Sequence, residues 1–282
     1  MQTATEHIRN ALRGRYTAGE ISALSRLIWE AVCGYSPVDA ILHKDTVLDA
    51  DRRKKIDFIV ERLLQNEPIQ YILGYADFDG LRFAVTPAVL IPRPETAELV
   101  ALIGEDFAAC PPHRLADVGT GSGCIAVSLA HRFPACEVEG WDVSPEALRV
   151  AEANSRRIGT KVSFVQRDIL AYRPQSGEAR QYDLMVSNPP YIVPSEKRAM
   201  ESRVLDYEPH LALFVPEDDP LRFYRAIAHT ALTLLAPRAK LYFEINPLFA
   251  RECVDMLAQA GYSDVALHTD LSGRNRFISA VR

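Results

Sequence analysis

Leu115-Ala116-Asp117-Val118-Gly119-Thr120-Gly121-Ser122-Gly123 carries the strongest mark of fold class in the chain. Its first four residues read as an apolar strand. Three glycines at alternate positions follow, and a helix is predicted over 123–133. Lacking a Cβ, glycine lets the chain turn sharply and lets a ligand approach the backbone. Strand, glycine-rich turn and helix in that order mark the crevice at the carboxyl end of an open α/β sheet, where ligands of such folds bind. A bare strand-to-helix turn is the alternative reading. It has no need to carry the entropic cost of glycine three times.

Working outward, strands and helices alternate. Val138–Asp142 reads as a strand, and Pro145 opens a helix over 145–158 at a favoured first-turn position. Strands follow at Val162–Gln166 and Tyr182–Val186, a polar surface loop at Arg173–Arg180, a helix at 220–235 and a strand at Lys240–Ile245. A helix near 248–260 precedes strands near 263–268 and 275–281. Repeated β-α-β alternation predicts an α/β, Rossmann-like domain with a mostly parallel sheet covered by helices. The last two strands lack a helix between them, which predicts an edge hairpin and an antiparallel terminal strand. Upstream, Ile91-Pro92-Arg93-Pro94-Glu95-Thr96 is a stiff extended segment leading into a helix near 96–108. Tyr75 to Leu90 reads as a β-hairpin turning at Asp79-Gly80. Residues 1 to about 73 read as helices, with Ile21, Leu24, Ile28 and Val32, then Ile56, Ile59, Val60, Leu63 and Leu64, at helical spacing. The expected organisation is a helical domain over 1–74, a hairpin linker over 75–91 and a catalytic domain over 92–282.

The chain has 282 residues, 48% of them apolar and 24% charged, the profile of an ordinary globular protein. A net charge of −5 argues against a large basic surface for duplex nucleic acid. The first 75 residues balance ten Lys/Arg against ten Asp/Glu, so no basic arm is hidden there. Arg52-Arg53-Lys54-Lys55, flanked by Asp49, Asp51 and Asp57, reads as a solvated helix start. Five cysteines without a Cys-x-x-Cys pair, and seven histidines without a ligand constellation, point to reduced thiols and no metal site. The start, Met1 to His7, lacks a signal-peptide pattern, and no apolar run approaches a membrane span. A cytoplasmic protein is expected.

Two cofactor classes compete for the glycine turn. Gly121-Ser122-Gly123-Cys124-Ile125-Ala126 fits the dinucleotide fingerprint. Gly119 extends it to Gly-x-Gly-x-Gly, the pattern associated with S-adenosylmethionine. Asp142, at the end of the second strand, suits either, since a carboxylate there accepts from ribose hydroxyls. A turn or helix-capping role is its alternative. Asp168 and Ile169 end the third strand and could meet an adenine amino group and ring face. A loop-turn role fits Asp168 equally well.

The strand Tyr182–Val186 ends in Ser187-Asn188-Pro189-Pro190-Tyr191. Neither proline has an N–H, so this end offers acceptors and almost no backbone donors. The Asn188 oxygen, the proline carbonyls and one aromatic face suit capture of a planar –NH2 group. Taken alone the segment could be a proline-rich turn.

With Gly119–Gly123, Asp142 and Asn188–Tyr191 in register, the chain resembles class I S-adenosylmethionine-dependent methyltransferases acting on amide or amino nitrogens. More narrowly, it resembles the release-factor glutamine methyltransferase family (HemK/PrmC). Pro68–Gly74, Val89–Thr96, Asp117–Ala126, Asp142–Leu148, Val186–Ile192 and Tyr207-Glu208-Pro209 carry that resemblance. It departs at Ala97, where a second glutamate is common, at Val215–Pro220, at Asn246 and at Asn275. The resemblance implies a helical N-terminal substrate-recognition domain, a hairpin linker and a methyltransferase domain. It implies methylation of glutamine in the Gly-Gly-Gln motif of class 1 peptide release factors, modulating translation termination. Gly119, Thr120, Gly121, Ser122, Gly123, Asp142, Asp168, Ile169 and Asn188 would hold S-adenosylmethionine. Asn188, Pro189 and Tyr191 would be catalytic, with Pro190, Arg93 and Glu95 bordering the glutamine; a salt-bridge role suits Arg93 and Glu95 as well. No metal, no membrane and no stable nucleic-acid partner is expected, and the protein is expected to be a monomer. The alternative activity is amino-methylation of adenine or cytosine in nucleic acid. A fold that binds without chemistry is a further alternative, argued against by the intact glycines and Asn188.

Overall fold

The computed structural model describes residues 4–42, 48–175, 177 and 181–282. The expected helical segment at 1–3 and 43–47, and residues 176 and 178–180 of the expected polar loop, lie outside them. Two compact units emerge: Met1–Gly74 with Glu201–Tyr207, and Tyr75–Met200 with Glu208–Arg282.

The first unit is helical. Helices α1 (Ala4–Leu12), α2 (Ala18–Cys33), α3 (Pro37–Leu42), α4 (Ala50–Leu64) and α5 (Ile69–Leu73) follow one another. Thr17 opens α2 with a reciprocal cap: its side chain accepts from the Glu20 N–H while Glu20 accepts from the Thr17 N–H. Gly34 closes α2 in the left-handed conformation, φ 69°. Ile21, Leu24 and Ile28 bury against Ile56, Ile59, Val60 and Leu63, which is the stripe that the spacing predicts. Asp49 caps α4, and Arg52 to Lys55 are exposed. Outside the expected helical segment, the short helix Ser202–Tyr207 belongs to this unit. Arg203 there pairs with Glu20 at 3.0 Å, and the Tyr207 hydroxyl donates to the Gln65 carbonyl at 2.8 Å.

The second unit begins with the hairpin β1 (Tyr75–Phe78) and β2 (Leu81–Ala84). Asp79 and Gly80 take φ of 48° and 73° at its turn, the geometry that twisted two-residue hairpins favour. After α6 (Pro94–Asp106), β3 (Arg114–Val118), α7 (Cys124–Arg132), β4 (Glu137–Asp142), α8 (Pro145–Ile158), β5 (Val162–Gln166) and β6 (Tyr182–Ser187) alternate. They are followed by β7 (Leu235–Glu244), β8 (Ser263–Thr269) and β9 (Asn275–Val281). Among the described residues these make a seven-stranded sheet in the order β5-β4-β3-β6-β7-β9-β8. All neighbours are parallel except where β9 inserts antiparallel between β7 and β8. Both faces are covered. Met185, Leu241, Phe243 and Ile278 pack under helices Arg222–Leu234 and Ala250–Ala260. Leu115, Leu184, Val186 and Tyr242 pack under α6 and α7, with Phe78 and Phe83 of the hairpin. Burial on both sides is why Leu184, Met185 and Val186 of β6 are consecutively apolar.

Strand order reverses between β3 and β6, which pair side by side with Val118 opposite Ser187. That is the switch point at which an open α/β sheet leaves a crevice. β7 starts five residues earlier than the predicted strand and carries an irregularity after Leu235. Pro237 has no N–H for a regular ladder there, and Arg238 takes φ 66°.

Candidate active site

A cavity of about 380 Å³ opens at the carboxyl ends of β3, β4 and β6, within the range of small-molecule sites. Gly119, Thr120, Gly121, Ser122, Asp142, Asp168, Ile169, Asn188, Pro189, Pro190 and Arg93 all line it. Fifty or more residues of chain separate several of these, so the sheet brings them together.

The glycine turn is tied down by backbone. The Gly119 and Thr120 N–H groups both donate to the Trp141 carbonyl at 2.8 Å. Gly119 and Gly121 take φ of 76° and 54°, and a Cβ on either would stand in open space at the cavity. Gly123 lies outside the lining and serves packing: an added Cβ would sit 3.1 Å from the Ala151 Cβ of α8. Asp117 anchors the turn from below. Its Oδ2 accepts from the Thr120 hydroxyl at 2.6 Å and the Ala126 N–H at 3.2 Å, while Oδ1 is buried with no partner. Burial pushes this carboxyl up to about 7.

Asp142 accepts from the Gly121 N–H through Oδ2 and from the Ser144 N–H through Oδ1, each at 2.9 Å. Ser144, rather than Asp142, caps α8, accepting from the Ala147 N–H at 3.1 Å. A carboxylate has about four acceptor sites, so beyond the Gly121 and Ser144 bonds acceptor capacity remains for hydroxyls at the cavity wall. Burial raises its carboxyl above the usual range. Asp168 turns the chain, its Oδ1 accepting from the Leu170 N–H at 2.9 Å, and it borders the cavity as well.

Asn188 follows β6 with both proline peptides trans. Its Nδ2 donates to the Thr96 hydroxyl oxygen at 3.1 Å, and the Thr96 hydroxyl donates to Glu244 Oε2 at 2.7 Å. Thr96 lines the cavity; Glu244 is fully buried behind it. Burial holds the Glu244 carboxyl up at about 7, against the lowering pull of the Thr96 hydrogen bond, Arg276 and Tyr191. Tyr191, expected to stack on a planar group, does not line the cavity. Its ring packs against the core, and its hydroxyl donates to Glu244 Oε1 at 3.3 Å.

Arg93 borders the cavity while pairing with the buried carboxylate of Glu208 at 2.5 Å. Glu208 also accepts from the Ile91 N–H at 3.2 Å, so it straps the Ile91–Arg93 segment to the site. Glu95 is half-buried and outside the lining. Asn246, a departure from the family pattern, donates to the Tyr191 carbonyl at 3.1 Å and to Glu196 Oε2 at 2.9 Å. It thereby fastens the segment after Asn188. Sequence reasoning assigned no role to Thr96, Glu244, Glu208 or Asp117. Thr96, Asp117 and Glu208 stood inside stretches that carry the resemblance, and that was their only signal.

A model of the PrmC N-terminal domain matches residues 3–74, and one of the methyltransferase small domain matches residues 99–206. A methyltransferase from Pyrococcus furiosus shares the fold with a TM-score of 0.52 at 17% identity, over 83% of this chain and 98% of that one. A release factor glutamine methyltransferase of Flavobacterium psychrophilum is 38% identical over 271 residues, 95% of this chain and 94% of its own. Another, of Bacteroides thetaiotaomicron, is 45% identical over 282 residues, the whole of both chains. With that likeness covering the helical unit, the glycine turn and the Asn188 segment, the chain belongs to the release factor glutamine methyltransferase family.

Proposed function

We propose that this protein transfers a methyl group from S-adenosylmethionine to the side-chain amide nitrogen of glutamine in the Gly-Gly-Gln motif of class 1 peptide release factors. The observation that carries the reading is one cavity lined both by the glycine turn with Asp142 and by Asn188-Pro189-Pro190. The residues fit the cofactor: the turn leaves open space where a Cβ would stand, and Asp142 keeps acceptor capacity for ribose hydroxyls. Gly119 to Ser122, Asp142, Asp168 and Ile169, which line the cavity, would hold it, with Gly123 packing the turn against α8. When bound, it supplies an electrophilic methyl group on a sulfonium.

The chain's own part is to orient a weak nucleophile. An amide nitrogen has its lone pair delocalised into the carbonyl. Asn188 Oδ1 and the Pro189 carbonyl accept the two amide hydrogens, hold the nitrogen in line and stabilise positive charge as it develops. The proton passes to solvent water after attack, so no base is needed beforehand. An alcohol in the same place leaves one acceptor unpaired, which disfavours it in a closed site. Tyr191 and Asn246 brace the acceptor segment from behind, and Arg93 shapes its border through Glu208. The helical unit over 1–74 contributes to recognition of the release factor.

The test is transfer of labelled methyl to a purified class 1 release factor, beside its Gln→Ala variant in Gly-Gly-Gln. Label on the first and not the second is expected. Equal label on both, or transfer to nucleic acid instead, would overturn the reading.

A further inference from the structure

Asn188 presents an amide, and an amide can face a cavity with either its oxygen or its –NH2. Only the oxygen accepts from an incoming –NH2; the other end would oppose hydrogen to hydrogen. Two residues behind it decide which end is offered. The Thr96 hydroxyl has one proton, given to Glu244 Oε2 at 2.7 Å. Its oxygen can then only accept from Asn188, and the amide's only donor is Nδ2, found 3.1 Å away. Glu244 is 1% exposed and Thr96 3% exposed, so water does not compete for these bonds.

We propose that Thr96 and Glu244 are positioning residues that lock the Asn188 amide with Nδ2 inward and Oδ1 toward the substrate. The inference rests on the glutamine reading above. An ionised Glu244 is acceptor-only and keeps the relay pointing one way. A protonated Glu244 can donate to Thr96, free its hydroxyl to donate toward Asn188 Oδ1, and favour the flipped amide. Glu244 is raised to about 7 by burial, which puts that switch near neutrality. The groups facing it are Arg276 on β9, Tyr191 after β6, Glu95 on α6, Cys124 on α7 and Tyr224 on the helix over it.

The test compares Thr96→Val, which keeps the shape without the hydroxyl, with Thr96→Ser, which keeps the hydroxyl. Thr96→Val should lower kcat roughly ten- to a hundredfold, with KM for the release factor and cofactor Kd within about twofold, and Thr96→Ser should recover most of the rate. Independently of that variant's folding, the wild-type kcat should fall as pH drops through about 7 and this step should vanish in Glu244→Gln. The side-chain amide NMR signal of Asn188, assigned by its loss in Asn188→Asp, should shift over the same range in the wild type alone. Undiminished kcat in Thr96→Val beside an active wild type, or an Asn188 signal indifferent to pH and to Glu244→Gln, would overturn this inference alone. A wild type unable to methylate glutamine would overturn the glutamine reading and this inference together.

Discussion

Asn188 and Asp142 line one cavity, and each can be removed without touching the other's partners. Asn188→Ala deletes one preorganised acceptor, so turnover should fall roughly a hundred- to thousandfold while cofactor affinity holds. Single-turnover kinetics beside cofactor titration separates the two effects, and near-normal turnover would speak against the role. Asp142→Ala removes charge-assisted acceptors and should weaken S-adenosylmethionine binding by roughly ten- to a hundredfold. Calorimetric titration reads this directly; unchanged affinity would move the ribose site elsewhere. Both residues were legible in the sequence, because Asp142 ends β4, Asn188 directly follows β6, and each sits in a local motif. Thr96 and Glu244 were not. They meet across 148 positions of chain, and Arg93 meets Glu208 across 115. Hydrogen bonds at such separations leave no periodicity to read.

The elements carry a second cross-tie that no local pattern announces. Asn154 on α8 accepts from the Ala84 N–H at 2.6 Å and donates to the carbonyls of Ala84 at 3.0 Å and Ser122 at 2.9 Å. It clamps the hairpin to the glycine turn from a fully buried position. Asn154→Ala leaves these backbone groups without their partner and should destabilise the protein by about 1–3 kcal/mol. Urea unfolding checks the value, and a midpoint equal to wild type would show the clamp to be idle. On a helix, asparagine reads as a poor helix former and nothing more. The alternation of strands and helices was legible, since the strands carry short buried apolar runs and Asp79-Gly80 announces its turn. The short helices at 194–199, 202–207 and 210–213 were not, because pieces of four to six residues are too short to show a helical period.

The molecule as a whole holds two buried carboxyls raised to about 7, Asp117 and Glu244. Their ordinary values are 3.8 and 4.5, so between about pH 4.5 and 7 the folded state binds more protons than the unfolded one. Their contribution to stability is therefore present at low pH and is lost as pH rises through that window. Melting temperatures across it should decline more steeply in the wild type than in Asp117→Asn; parallel curves would show that Asp117 does not titrate there. At this scale the sequence told most about architecture, through the glycine turn and the strand pattern. It told least about the strap Glu201–Tyr207, which groups with the helical unit although it lies far along the chain. The proposed activity comes down to the chemistry at one nitrogen. Its most direct measurement is tandem mass spectrometry of the release-factor peptide spanning Gly-Gly-Gln after incubation with S-adenosylmethionine and either wild type or Asn188→Ala. A methyl on the glutamine side-chain nitrogen is expected with the wild type and only a trace with the variant. A methyl on any other residue, or equal methylation by both, would contradict it.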